Sequence, residues 1–273
     1  MSQKKINVVV AGATGYVGLD LVFYLSKHPR VNISNLCAQK NLGKNINFFD
    51  KRIKKKLPKI SKLSKVNWHK IDLLFLSLPN GEAQKLIKRL YRYKNLKFID
   101  LSADFRIKNS HEYKKWYSIN HQAKTLIKDS IYSIPEFNKE KIKRFRIIAN
   151  PGCYPTSIQL ALVPLLKKSL INTNNILIDS KSGYSGAGKN YKLKFKKKNF
   201  DKSIFAYGIE KHRHMSELDQ EFSANSNNKI KYIFNPHLLP TFRGILSSIY
   251  IELRKKITIQ KIHNELKKFH ANN

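Results

Sequence analysis

Residues 6–18 constrain this chain more than any other stretch. Ile6 to Ala11 (INVVVA) is a continuous apolar run rich in β-branched residues, the composition of a strand covered on both faces of a parallel sheet. Gly12-Ala13-Thr14-Gly15-Tyr16-Val17-Gly18 follows directly. Tyr16 to His28 then places Val17, Leu21, Val22 and Leu25 near helical period before Pro29. Strand, glycine turn and helix in that order are what a dinucleotide site needs, because glycines close the turn and let a pyrophosphate reach backbone N–H groups at a helix N-terminus. The alternative is a tight turn that binds nothing. On the dinucleotide reading, Gly12, Thr14, Gly15, Tyr16, Val17 and Gly18 are the candidate contacts.

The pattern then repeats as alternating elements. Val31 to Ala38 reads as a second strand, Ile71 to Ser77 as another buried strand, Gln84 to Tyr93 as a helix and Leu96 to Leu101 as a further strand. Such alternation predicts an α/β fold with a doubly wound parallel sheet. The lysine-rich stretch Lys51 to Lys65 lacks periodicity and reads as an exposed connection. Ile147 to Ala149 is a short strand, Asn150-Pro151-Gly152-Cys153 a tight turn, and Pro155 to Leu170 a helix with proline near its first turn. A domain boundary is expected here, dividing residues 1–149 from residues 150–273. Strands at Asn175 to Ser180, Lys231 to Asn235 and Gly244 to Glu252 give the second part a mixed or antiparallel sheet, an α+β domain.

The second strand ends at Leu36-Cys37-Ala38-Gln39-Lys40 without the acidic residue that would hold an unphosphorylated ribose, and Lys40 can pair with a 2′-phosphate. NADP is therefore favoured over NAD.

Composition excludes several classes. With 273 residues and 41% apolar side chains the chain buries a real core. Two cysteines are too few for a disulfide scaffold or a Cys-only zinc site. The polar start Met1 to Asn7 leads straight into a strand, and no apolar run approaches the roughly 20 residues of a membrane span. A cytoplasmic protein without signal peptide or membrane association is expected. The 53 Lys and Arg against 18 Asp and Glu give +35, which attracts anions of every kind. Lysine, isoleucine and asparagine are spread throughout, as compositional drift would leave them, and no nucleic-acid motif accompanies them. No specific nucleic-acid partner is expected.

Cys153 stands at the mouth of the Pro155 helix, where a helix dipole favours a thiolate nucleophile. The bland reading is an inert buried thiol, which suits Cys37 inside its strand. A nucleophilic cysteine needs a proton partner, and His212 and His214 lie in Lys211-His212-Arg213-His214, just before the helix start Ser216-Glu217-Leu218-Asp219. In an extended segment the two imidazoles would share one face, but no third ligand accompanies them and no metal is expected. Either histidine is otherwise surface. Arg213, Lys181, Lys189 and Arg243 are candidate anion holders, though most Lys and Arg in so basic a chain are solvated. Ser182 to Lys189 (SGYSGAGK) is a second small-residue loop, able to present backbone N–H groups to a phosphate or to serve as a flexible turn. Its spacing excludes a Walker A motif.

Seven motifs in order carry a resemblance over almost the whole chain: Gly12 to Gly18, Asp100 to Arg106 (DLSADFR), Tyr132 to Asn138 (YSIPEFN), Asn150 to Thr156 (NPGCYPT), Ser182 to Lys189, Tyr207 to His214 (YGIEKHRH) and Pro236 to Gly244 (PHLLPTFRG). The chain resembles the N-acetyl-gamma-glutamyl-phosphate reductases of arginine biosynthesis. That resemblance implies NADPH-dependent reduction of an acyl phosphate to a semialdehyde, with Cys153 as the acylated nucleophile and His212 as its acid–base partner. It further implies cofactor contacts at Lys40, Pro79, Ser185 and Gly186, substrate contacts at Arg106, Asn150, Arg213 and His214, and a homo-oligomer. A related aminoadipyl phosphate on an acidic carrier protein is an alternative substrate. The chain departs from the family pattern at Asn80, where a histidine is usual, at Ser216, where a proline is usual, and around Ala38-Gln39-Lys40. Family chains also continue past the region matching Thr258 to His270, so a shortened C-terminus is expected. Such a chain is either a reductase or an inactive remnant that binds nucleic acid through charge alone.

Overall fold

The computed structural model describes residues 5–189 and 203–271; Met1 to Lys4 of the polar start and the last two residues of the second part lie outside them. The chain divides into two compact units, Met1–Asn150 and Pro151–Asn273.

In the first unit, β1 (Ile6–Ala11) leads through the glycine turn into α1 (Tyr16–Lys27) and β2 (Val31–Cys37). β3 (Ile60–Ser61), β4 (Leu73–Leu76), α2 (Glu82–Leu90), β5 (Lys97–Asp100), α3 (Ser110–Tyr117), β6 (Ser130–Tyr132), α4 (Pro135–Ile142) and β7 (Ile147–Ala149) follow. All seven strands are parallel, in the order β3-β2-β1-β4-β5-β7-β6. The doubly wound expectation holds. The reason is visible in β1, whose Val8, Val9, Val10 and Ala11 are fully buried: Val9 and Ala11 pack into one core layer, Val8 and Val10 into the other.

The Lys51–Lys65 stretch differs from expectation. Its lysines are exposed, but Ile53 and Ile60 are buried, and Ile60–Ser61 pairs with Leu36 and Cys37 as the edge strand β3. An unpaired β2 edge would expose its ladder groups, and two isoleucines among lysines supply the cover. Helix α3 and strand β6 were not evident from the sequence pattern. Asn109 caps α3, accepting from the His111 and Glu112 N–H groups.

The second unit holds α5 (Cys153–Lys167), β8 (Ile176–Gly183), β9 (Phe205–Ala206), α6 (Met215–Asn225), β10 (Tyr232–Leu239), β11 (Ile245–Tyr250) and α7 (Ile259–Ala271). Its sheet is mixed, in the order β11-β8-β10-β9: β8 and β10 run parallel, and β9 and β11 antiparallel to their neighbours. Tyr154, Ile158, Leu162 and Leu165 of α5 form a buried layer with Ile178, Leu218, Phe222 and Phe234. In α7, Ile262 and Leu266 lean on this layer while Ile259 is 80% exposed. Among the described residues no helix is long and apolar enough to cross a membrane.

Candidate active site

The glycine turn of the first unit has no room for a side chain at Gly12 or at Gly18. A Cβ on Gly12, whose φ is +81°, would meet the Ser77 carbonyl oxygen at 2.0 Å, and one on Gly18 would meet the Gly12 oxygen at 2.2 Å. β1 can therefore pass close to β4 and turn at once into α1. Gly15 is the N-cap of α1, with no side-chain cap and no acidic residue in the first turn, which leaves the positive end of the helix dipole without a first-turn carboxylate. Thr14 and Tyr16 are half-buried and Val17 is exposed. The Gly12 and Ala13 N–H groups donate to the Cys37 carbonyl at 2.9 and 3.1 Å, which fixes the turn against the end of β2, three residues before exposed Lys40.

The chain order places the switch point of the sheet between β1 and β4, since the strands after β1 run outward to β3 before returning on the other side. Ligands of open α/β sheets bind beyond the strand carboxyl ends at such a point. Here those ends carry the glycine turn and the Leu78–Gly81 loop, with exposed Pro79. These features fit a dinucleotide.

Arg106 and Asn150 come together in the first unit. Arg106 is buried; its Nε donates to the Asn150 carbonyl at 2.8 Å and one terminal nitrogen to the Leu101 carbonyl at 3.0 Å. The Asn150 N–H donates to the Asp100 carbonyl at 2.8 Å. Asp100 is itself buried, and that burial, with the negative charge of Asp104, pushes its carboxyl up to about 6.

In the second unit, Cys153 is the first residue of α5, two residues earlier than the proline suggested, with Gly152 as N-cap. Pro155 costs no hydrogen bond there because first-turn N–H groups have no intrahelical partner. Cys153 is exposed and not disulfide-bonded; Cys37 is buried, and burial pushes its thiol up to about 11. Exposure at a helix start suits a reactive cysteine, and burial in a strand suits an inert one.

His212 and His214 do not lie in an extended segment. They flank a turn, and His214 has helical φ/ψ of −66° and −14° as N-cap of α6, because the chain must enter that helix at once. The turn still brings their rings to 4.8 Å. His212 is boxed by the edges of Tyr154, Tyr207 and Phe234 at 5.4, 5.4 and 5.5 Å. Burial in that box, then electrostatic repulsion from the neighbouring His214 and Arg213, pushes His212 down to about 3. Its Nδ1 accepts the His214 N–H at 3.2 Å, which leaves the proton of the neutral ring on Nε2. Arg213, between the histidines, is exposed.

His214 has a different neighbour. Its Nε2 lies 3.9 Å from Oε1 of Glu217, a fully buried carboxylate whose Oε2 accepts the Gly152 N–H at 2.8 Å. A Cβ on Gly152 would stand 2.5 Å from His214 Nε2 and 2.9 Å from Glu217 Oε1. Gly152, His214 and Glu217 are thus one packed group directly before the Cys153 helix. The Tyr207 hydroxyl donates to that of Tyr154 at 3.1 Å, and Tyr154 to the His237 carbonyl at 3.1 Å, which pins the residue after Cys153 to β10.

Residues 7–145 match the family model described as semialdehyde dehydrogenase, NAD binding domain, and residues 153–273 match semialdehyde dehydrogenase, dimerisation domain. An N-acetyl-gamma-glutamyl-phosphate reductase of Brachyspira hyodysenteriae is 42% identical, the match covering 97% of this chain and 77% of that protein. A probable chloroplastic N-acetyl-gamma-glutamyl-phosphate reductase of Arabidopsis thaliana is 40% identical over 97% of this chain and 66% of that protein. The chain belongs to the N-acetyl-gamma-glutamyl-phosphate reductase family. It spans about two thirds to three quarters of the length of these reductases. Among solved structures, aspartate semialdehyde dehydrogenase II of Vibrio cholerae aligns with a TM-score of 0.72 at 18% identity, covering 98% of this chain and 80% of that one. The aspartate semialdehyde dehydrogenase of Candida albicans with NADP aligns with a TM-score of 0.64 at 16% identity, covering 97% and 76%. These share the fold of the reductase family.

Two features of this reductase-family chain change the picture drawn from its motifs. The SGYSGAGK loop forms a 3-10 turn at Tyr184–Ala187 after β8, with Ser185 half-buried and Gly186 exposed in the second unit. Its N–H groups at Gly183, Tyr184, Ser185 and Gly188 donate to the Gly244, Thr241, Phe242 and Ser185 carbonyls, so those four are not presented to a phosphate. Lys181 pairs with Asp179 at 2.5 Å, so its charge is already matched, and Arg243 and Lys189 are exposed. Glu217 was missed as a site residue. Its signal was present: an acidic residue three positions after His214 on a helix start lies on the same face. Among the described residues no group of three or more His, Cys, Asp or Glu is placed to hold a metal ion.

Proposed function

We propose that the chain is an NADPH-dependent N-acetyl-gamma-glutamyl-phosphate reductase acting through a Cys153 thioester in arginine biosynthesis. Residues 1–149 form the NADP-binding domain and residues 150–273 the catalytic and oligomerisation domain. The observation that carries this reading is the packed group Gly152, His214 and Glu217 at the helix end that bears Cys153, within a chain about 40% identical to such reductases. The small-molecule acyl phosphate is the substrate, and the dimerisation-domain match supports a homo-oligomer.

His214, beside the Glu217 carboxylate, takes the Cys153 proton, and the carboxylate stabilises the imidazolium. The thiolate attacks the acyl carbon, the carbon–oxygen bond to phosphate breaks, and the proton held by His214 leaves with the phosphate. The resulting thioester carbonyl is the group that would accept hydride, the chemistry NADPH would supply when bound. His212 donates a hydrogen bond from Nε2–H to the oxygen that gains charge as hydride arrives, and the carbon–sulfur bond then breaks to release semialdehyde and leave the Cys153 thiolate, which a proton from water returns to the starting thiol. This divides the acid–base role first given to His212 alone. Arg106, Asn150 and exposed Arg213 are the candidates for holding phosphate and carboxylate, with Lys40 selecting the 2′-phosphate.

The test is phosphate-dependent reduction of NADP by N-acetylglutamate semialdehyde, with NAD and the aminoadipate semialdehyde run in parallel. Turnover with the first pair that vanishes in Cys153→Ser is expected. Turnover only with the aminoadipyl compound reassigns the substrate, and none with either rejects the reductase.

A further inference from the structure

The motif Asp100 to Arg106 holds a second buried carboxylate that the chemistry above does not use. Asp104 is fully buried, and both its oxygens are taken. Oδ1 accepts the Gly81 N–H and the Tyr113 hydroxyl, each at 2.7 Å, and Oδ2 accepts the Gln84 N–H at 3.0 Å. Gly81 is the N-cap of α2 and has φ of +91°, a left-handed conformation that leaves its own N–H pointing away from the helix. Gly81 has no side chain to cap with, so a carboxylate 23 residues away supplies the cap.

The surroundings hold Asp104 in place. Gln84, also buried, donates from Nε2 to the Tyr113 hydroxyl at 3.2 Å and accepts the Gln122 N–H. His121 Nε2 bonds the Asp104 carbonyl at 2.7 Å, and the Asp104 N–H donates to Ser102 Oγ at 3.2 Å. The neighbouring Asn80 side chain accepts the Ala103 N–H at 3.4 Å. Residues 102–104 therefore grip the loop Leu78–Gly81 at its far end, while Ser77 grips the near end by donating to the Ala11 carbonyl at 2.9 Å. That loop stands at the β4 side of the switch point, opposite the glycine turn on β1.

We propose that Asp104 is a positioning residue for the dinucleotide: its buried carboxylate fixes the Leu78–Gly81 loop as one wall of the crevice at the carboxyl ends of β1 and β4. The inference rests on the cofactor part of the reading above and is independent of the substrate. An Asn at 104 keeps the shape but turns one acceptor into a donor facing a donor, so the loop is released at Gly81 or at Gln84.

The experiment is a fluorescence titration of NADPH with the full chain, on wild type, Asp104→Asn and Tyr113→Phe, with melting temperatures recorded for each. Asp104→Asn is expected to weaken NADPH binding about tenfold and raise the KM for NADP in proportion, while kcat and the KM for semialdehyde move less than about threefold. Tyr113→Phe removes a neighbouring donor but leaves both backbone contacts, and is expected to bind within about twofold of wild type. Equal weakening in both variants, or none in a folded Asp104→Asn, overturns the proposal. Should Asp104→Asn fail to fold, amide exchange on wild type decides: added NADPH is expected to slow exchange at Gly81 and Gln84, and no change across residues 78–84 overturns it. Wild type that binds NADPH but turns over no acyl phosphate rejects the substrate reading and leaves this one standing. Wild type that binds no NADPH rejects both.

Discussion

Glu217 Oε2 accepts the backbone N–H of Gly152 at 2.8 Å across 65 residues, so a carboxylate on α6 fixes the residue immediately before Cys153. The same carboxylate stands 3.9 Å from His214 Nε2 and carries no solvent exposure. Glu217→Gln keeps the size of the side chain but removes the charge that balances an imidazolium at 214. A hydrogen bond to a buried charged group is worth roughly 1.5–3 kcal/mol, so kcat/KM for the proposed reaction should fall about 10–100-fold. Alkylation of Cys153 by iodoacetamide should slow with it. An unchanged alkylation rate would show that Glu217 does not act on the thiol.

Gly152 is needed for space rather than for its φ, which is an ordinary −66°. Gly152→Ala would push a methyl to 2.5 Å from His214 Nε2 and 2.9 Å from Glu217 Oε1, so the imidazole must turn out of its place beside the carboxylate. Overpacking of this kind costs about 1–3 kcal/mol. The prediction is a melting temperature lowered by several degrees and a larger loss of activity than of stability, checked by thermal unfolding beside steady-state rates. A variant of wild-type activity would remove this packed group from the site.

His212 gives a pH prediction with a definite sign. Its folded value of about 3 lies below the ordinary histidine value of 6.5, so between the two the unfolded chain binds more protons. His212 therefore adds stability that is fully present above pH 6.5 and is lost as pH falls toward 3. From pH 6.5 to pH 4.5 the loss is roughly 2 kcal/mol. Urea unfolding of His212→Asn against wild type should show a difference that shrinks over this range as pH falls. Because the ring stays neutral near pH 6.5, the variant should also lower kcat without moving the acid limb of the rate profile.

Element order was legible because β1, β2 and β4 are short apolar runs between turn residues, and Gly12 to Gly18 sits where only a tight turn fits. Ile60–Ser61 was not, since two residues of edge strand among lysines carry no periodicity and exist because β2 offers an unpaired edge. Cys153, His212 and His214 stand out in the sequence through residue type and motif order. What separates the two histidines was invisible. The aromatic box around His212 draws on Tyr154 of α5, Tyr207 just after β9 and Phe234 of β10, and Glu217 reaches Gly152 only after α5 and α6 pack. Nearest-neighbour patterning describes elements; contacts across 60 or more residues follow from their packing.

Lys40 is exposed three residues beyond the end of β2, and no acidic residue stands between. If it selects a phosphorylated ribose, Lys40→Glu should raise the KM for NADPH about tenfold or more through like-charge repulsion and affect NADH far less. The ratio of kcat/KM values for the two cofactors is the measurement. Equal effects on both would take Lys40 away from the 2′-phosphate and leave cofactor choice to other residues.

Gly12→Ala tests the turn itself. Two penalties act together, since φ of +81° disfavours any side chain and the new methyl would lie 2.0 Å from the Ser77 carbonyl oxygen. That oxygen belongs to backbone that also donates its N–H to Ala11, so it cannot swing aside without opening β1 from β4. Relief must come from the turn, which lifts the first N–H groups of α1 from where a pyrophosphate would lie. NADPH binding should fall below detection in a titration while the second unit keeps its fold, so far-ultraviolet circular dichroism should lose only part of its signal. Wild-type NADPH affinity in this variant would mean that the turn closes a strand-to-helix connection and nothing more.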